Sequence, residues 1–92
     1  MEITAQYGGQ LADAAGCHQE TVNLEPAERL SALLRLLADR HGPGISRLVF
    51  RPDGQAQLSL LAAVDDRQVD KGDDPVLTNA RTVMLLTPMA GG

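Results

Sequence analysis

The chain has 92 residues, 43% of them hydrophobic, and carries a net charge of −4. That length suits one small domain, and the acidic balance argues against binding a nucleic-acid backbone, which needs clustered Lys and Arg. Tyr7 and Phe50 are the aromatic residues and tryptophan is absent, so the core is expected to be aliphatic. A single cysteine, Cys17, forms no internal disulfide or cysteine-rich metal site, and points to a reducing compartment. Met1-Glu2-Ile3 lacks the basic-then-apolar pattern of a signal peptide, and no apolar run approaches the roughly 18 residues of a membrane span. A soluble, cytoplasmic protein that does not associate with membranes is expected.

Ile3, Ala5 and Tyr7 alternate with Glu2, Thr4 and Gln6, the period of a half-buried strand; Gly8-Gly9 is expected to end it. Residues 11–15 suit a helical turn closed by Gly16. Thr21-Val22-Asn23-Leu24 alternates again, with Val22 and Leu24 inward. The clearest helix is expected over about 26 to 41. Pro26 suits its first turn, Glu25 and Glu28 put negative charge at the positive end of its dipole, and Leu30, Leu33, Leu34, Leu37 and His41 share one face. Gly42-Pro43-Gly44 should stop it. Leu48-Val49-Phe50 then reads as β-rich, Pro52-Asp53-Gly54 as a turn, and 57–64 as a strand with Leu58, Leu60, Ala62 and Val64 on one face. Asp65-Asp66 turns the chain into a short strand near Gln68-Val69. The last strand, 81–87, is apolar on both faces, as a central strand with a partner-facing outer side would be.

The expected order is β-β-α-β-β-β, with a lone helix covering one face of one sheet. The open face would carry Leu61, Ala63, Met84 and Leu86, an apolar patch of the kind that marks interaction sites. Beyond it the sequence runs Pro88, Met89, Ala90, Gly91, Gly92. Glycine backbone enters channels too narrow for residues with a Cβ, so this end suits delivery of a carboxylate into another protein's site.

Three stretches carry a resemblance to the MoaD/ThiS family of ubiquitin-like β-grasp sulfur carriers, most of all to its molybdopterin-synthase small subunits. Gly9 to Gly16 followed by Glu20-Thr21-Val22-Asn23-Leu24 is similar to the family's first loop and second strand. Val64 to Asp70 is similar to its Val-Asn-Gly-x-x-Val turn, with Asp65-Asp66 in place of Asn-Gly. Thr82 to Gly92 is similar to its tail, with Thr87-Pro88-Met89 where Pro-Pro-Val is common. The resemblance implies an α+β fold: a mixed sheet of four to five strands with one main helix on one face, residues 1–87, and a flexible tail, residues 88–92.

It also implies the chemistry. A ubiquitin-activating-type adenylyltransferase spends ATP to adenylate the Gly92 carboxylate, and a sulfur donor converts the adenylate to a thiocarboxylate. The loaded tail then enters a sulfur-acceptor enzyme such as the molybdopterin synthase large subunit. On this reading the protein is a carrier with no bound cofactor and no catalytic side chain, and it contributes proximity and orientation. An extended tail from Thr87 to Gly92 spans about 17–20 Å, enough to reach a buried site. A protein modifier joined to lysines, a carrier for cysteine or thiamine synthesis, and an interaction module with an inert tail are the alternatives. Cys17 reads as an incidental thiol ahead of a redox sensor. His18 and His41 have no metal-ligand spacing, and Asp65-Asp66 and Asp73-Asp74 read as solvated turns ahead of a metal site.

Overall fold

A computed structural model describes residues 1–87 of the chain. The elements are β1 (Glu2–Gly9), α1 (Gln10–Ala15), β2 (Gln19–Asn23), α2 (Leu30–His41), α3 (Pro43–Val49), β3 (Leu61–Val64), β4 (Arg67–Gln68) and β5 (Thr82–Thr87). They build one five-stranded sheet in the order β2-β1-β5-β3-β4. β1 and β5 run parallel at its centre and every other pairing is antiparallel. This mixed sheet with helices on one face is the β-grasp fold. β5 takes the central place that its two apolar faces anticipate: Val83 and Leu85 are wholly buried, while Met84 and Leu86 face out.

The core lies between the inner sheet face and the helices. Ile3, Val22, Val83 and Leu85 meet Leu33 and Leu37 of α2 and Ile45 and Val49 of α3, all at 0–1% exposure. The spacing of Leu30, Leu33, Leu34 and Leu37 therefore does what it predicts: all four are buried.

Three expectations are corrected. The main helix begins at Leu30, not near residue 26. The segment before it is held instead by a distant loop. Leu30 N–H donates to Pro75 O, Leu77 N–H donates to Glu28 O, and Arg29 bridges Val76. The helix cap also comes from there, because Asp74 accepts from the Ser31 N–H at 2.8 Å and from its hydroxyl at 2.7 Å. That carboxylate satisfies an orphan donor and meets the positive end of the helix dipole. Asp74, expected in a solvated turn, is thus a cap supplied across 43 residues of chain.

The second correction is α3. Gly42, at φ 80, does end α2, but Pro43 opens a new helix in the position where its missing N–H costs nothing. Leu48-Val49, read as β-rich, lies in that helix, where Ile45 and Val49 fall one turn apart and point into the core. The third is the strand expected over 57–64, which begins at Leu61. Leu58 is 70% exposed, so it shares no face with Leu60 and Ala62. The Gln57 side chain ties this turn to Arg47 O and Phe50 O at 3.2 and 3.1 Å, and Lys71 Nζ donates to Leu60 O at 2.6 Å.

At the opposite edge, Glu20 of β2 gathers three partners from other elements. It accepts from Tyr7 Oη at 2.7 Å and from Arg40 at 2.7 Å, and pairs with His41 Nε2. His41, the last residue of α2, also meets Tyr7 edge-on with ring centroids 6.1 Å apart. Cys17 Sγ reaches the same carboxylate at 3.9 Å. Burial acts to raise the Glu20 carboxyl, yet the hydrogen bonds from Tyr7, Arg40 and His41 together outweigh it and hold the group below its ordinary 4.5. Burial first, and then the Glu20 carboxylate, push the Tyr7 phenol far above its usual range.

A depressed carboxyl in the folded state means the unfolded chain binds the extra proton first. Glu20 therefore contributes its stability in full above pH 4.5, and loses it as pH falls through the lower folded value. Urea melts should show wild type more stable than Glu20→Gln at pH 7, with the difference shrinking as pH drops below the ordinary carboxylate range. A gap that stays constant down to pH 3 would contradict this assignment.

Candidate functional site

The outer face of the sheet is built by register. Leu61 of β3 lies opposite Leu86 of β5, and Ala63 lies opposite Met84. On the other side of β5, Gly8 lies opposite Leu86 and Gln6 opposite Met84. Strand side chains alternate, so burying Val83 and Leu85 obliges Met84 and Leu86 to point away from the helices. They do so at 41% and 37% exposure, beside the half-buried Leu61 and Ala63. The four residues singled out for a patch thus lie together on one face of two adjacent strands.

The hairpin below the patch is held by Asp65. Asp65 and Asp66 both have positive φ, 48 and 70, the pairing required by a tight primed turn. The Asp65 carboxylate accepts from the Arg81 and Thr82 N–H groups, both at 2.9 Å. Those two backbone donors hold the carboxyl below its ordinary range. Asp65 therefore links the β3–β4 turn to the start of β5, and with it the register of the patch.

The upper end of the patch is the end of β5. Thr87 pairs with Gly9 and is 3% exposed, and its hydroxyl has no partner among the described residues. The expected tail, Pro88, Met89, Ala90, Gly91 and Gly92, lies outside the described residues. Gly8-Gly9, expected to terminate β1, instead belong to it and flank β5 to its last described residue. The Gly-Gly dipeptide was the available signal, but a strand that uses glycine for close approach looks like a strand that stops.

Among the described residues no group of three or more His, Cys, Asp or Glu side chains is placed to hold a metal ion, and no helix is long and apolar enough to cross a membrane. The arrangement offers an exposed apolar patch on the strand that precedes the Gly-Gly sequence.

The ThiS family model matches residues 5–92, nearly the whole chain and including Gly91 and Gly92. This chain belongs to the ThiS family. The family is one of ubiquitin-like sulfur carriers. Solved structures share the fold. SAMP1 from Haloferax volcanii is 20% identical with a TM-score of 0.82, each chain covered in full. Urm1 from Trypanosoma brucei is 24% identical with a TM-score of 0.79, over 99% of this chain and 95% of that one. A protein described as molybdopterin converting factor subunit 1 from Pyrococcus furiosus is 20% identical with a TM-score of 0.72, over 97% and 99%. No curated protein sequence matches this chain significantly.

Proposed function

We propose that this ThiS-family protein is a sulfur carrier whose Gly92 carboxylate is loaded by an adenylyltransferase, and that its sulfur goes to molybdopterin synthesis. The observation that carries the reading is the path of β5. One strand holds the exposed Met84 and Leu86 beside Leu61 and Ala63, and ends at Thr87, four residues before Gly91 in the sequence. A partner that docks on the patch is therefore engaged by the same strand whose sequence continues to the Gly-Gly pair.

In the loading step a carboxylate oxygen of Gly92 attacks the α-phosphorus of ATP and pyrophosphate leaves. The resulting acyl-adenylate is a mixed anhydride. A sulfide-level sulfur donor attacks its carbonyl carbon, and AMP leaves with the bonding pair and the oxygen it gained. The thiocarboxylate then transfers its sulfur to an acceptor enzyme. The carrier's own share is positional, since the reacting atoms become effectively intramolecular once it is docked. The molybdopterin branch is favoured by the resemblance of Gly9 to Gly16, the stretch that carries α1, and of the β2 sequence after it. No cofactor need reside on the protein, since ATP is bound by the activating enzyme.

Intact-mass spectrometry of protein from its native cell tests this reading. A shift of about +16 Da, sulfur for oxygen, is expected. Lysine-linked adducts without that shift would instead identify a protein modifier, whose activation begins with the same adenylate.

The patch makes its own prediction. Leu86→Asp should leave the circular dichroism spectrum intact while weakening capture of both the activating enzyme and the sulfur acceptor. Truncating a buried interface anchor costs about 2 kcal/mol or more, roughly thirtyfold in affinity, and an unpaired charge there costs at least as much. A folded Leu86→Asp protein that binds both partners normally would leave the tail as the sole recognition element.

A further inference from the structure

The glycines of the described chain differ in what surrounds them, and at Gly44 a Cβ would meet only Ala14 Cβ at an ordinary 3.7 Å. Gly16, Gly42, Gly54 and Gly72 all have positive φ, and a Cβ built on any of them would meet nothing within 4 Å. Those are turn glycines, selected by backbone conformation. Gly8 and Gly9 differ because the end of β5 lies against them. A Cβ on Gly8 would stand 2.8 Å from Leu86 Cδ1, although its φ is not in the left-handed region. A Cβ on Gly9 would stand 2.6 Å from the Thr87 carbonyl oxygen and 3.5 Å from Leu86 Cδ1. Gly9 also has φ 60 and ψ −135, a combination open essentially to glycine.

The pair is clamped from both sides. Tyr7, just before it, is 4% exposed and hydrogen-bonded to Glu20, and Leu11, just after it, is wholly buried. β1 therefore has little freedom to retreat from an added methyl, and the displacement falls on β5. At position 8 the displaced group is the far end of a flexible leucine. At position 9 it is backbone, the carbonyl from which residues 88–92 continue.

We propose that Gly8-Gly9 is a positioning element for the loading reaction: Gly8 sets the pose of the Leu86 side chain on the docking face, and Gly9 seats the Thr87 carbonyl at the end of β5, five residues before Gly92 in the sequence. The proposal rests on the sulfur-carrier reading above. It makes the two glycines separable. A methyl at position 8 disturbs docking, an interaction made equally before and during reaction. A methyl at position 9 leaves the docking face in place and displaces the end of β5, the base from which the reacting carboxylate is delivered. The first signature is a raised KM with kcat unchanged; the second is a lowered kcat with KM unchanged.

The experiment is ATP–pyrophosphate exchange by the adenylyltransferase of the source organism, with the full-length carrier as varied substrate. Wild type, Gly8→Ala and Gly9→Ala are compared, each with a thermal melt. The strain of one residue in a disfavoured conformation is smaller than the total stability of a typical domain, so Gly9→Ala is expected to fold and is assayed in the cold. Gly9→Ala should lose on the order of tenfold to a hundredfold in kcat, the cost of about an ångström of misplacement, with its KM unchanged. Gly8→Ala should raise KM several-fold with kcat unchanged. A folded Gly9→Ala protein with wild-type kcat overturns the proposal. If Gly9→Ala does not fold even in the cold, Gly8→Ala decides, and a wild-type KM there overturns it. Wild-type protein that drives no exchange at all defeats the sulfur-carrier reading itself, an outcome distinct from either variant result.

Discussion

Deleting Gly92 is expected to abolish carrier-driven ATP–pyrophosphate exchange while leaving the thermal melt unchanged. The carboxylate at the end of the Gly-Gly pair is the proposed nucleophile toward ATP, and removing one residue withdraws it by about 3.3–3.6 Å. Near-attack geometry requires the reacting atoms about 3–3.5 Å apart, so a shift of that size is sufficient to end the reaction. Gly91→Ala should act in the same direction, since a Cβ obstructs a channel shaped for bare backbone. Neither change touches the buried cluster of the described residues, which runs from Ile3 to Leu85. Full exchange by the truncated protein would refute Gly92 as the loaded group. A lowered melting temperature would show that the chain end contributes to folding.

The second large effect is on stability. Leu37→Ala should cost about 2–5 kcal/mol in urea melts, the range for buried leucine truncations that leave a cavity. Leu37 lies on the apolar face of α2 and is wholly buried, together with Leu33. The buried cluster it belongs to draws on the inner sheet face, α2 and α3. A typical domain has only about 5–15 kcal/mol in total, so the loss is a large fraction. A cost below about 0.5 kcal/mol is what an exposed position gives, and would place this leucine outside the core. The two predictions are complementary: one variant loses function with its fold intact, and the other loses fold without touching any residue of the proposed site.

How much of this was legible in the sequence differs element by element. The faces of β1, β2, α2 and β5 follow from periodicity because each of these elements buries one side against a single core, and burial imposes a period on the residues. For β5 the period also fixed the patch, since placing Val83 and Leu85 inward leaves Met84 and Leu86 no choice. Pro43 was ambiguous because the same residue that ends one helix is favoured at the first position of the next. Leu48-Val49 read as strand because a run this short carries no helical period that could be told from β-branched enrichment. Leu58 read as inward because alternation was extended one turn too far upstream.

Hydrophobic period, glycine and proline punctuation, and charge are local properties, and they determined the fold class, the main helix, the inward and outward faces of the central strand, and the family resemblance through the Gly-Gly end. What only the tertiary structure decided are the contacts between segments far apart in the chain. Asp74 caps α2 across 43 residues, Glu20 draws together Tyr7, Arg40 and His41, and β5 lies so close to β1 that a Cβ on Gly9 would meet the Thr87 carbonyl and one on Gly8 the Leu86 side chain. Each of these residues has an unremarkable local sequence, a lone carboxylate or a pair of glycines. Their roles come from partners brought near by folding, and no pattern along the chain encodes which partner will arrive.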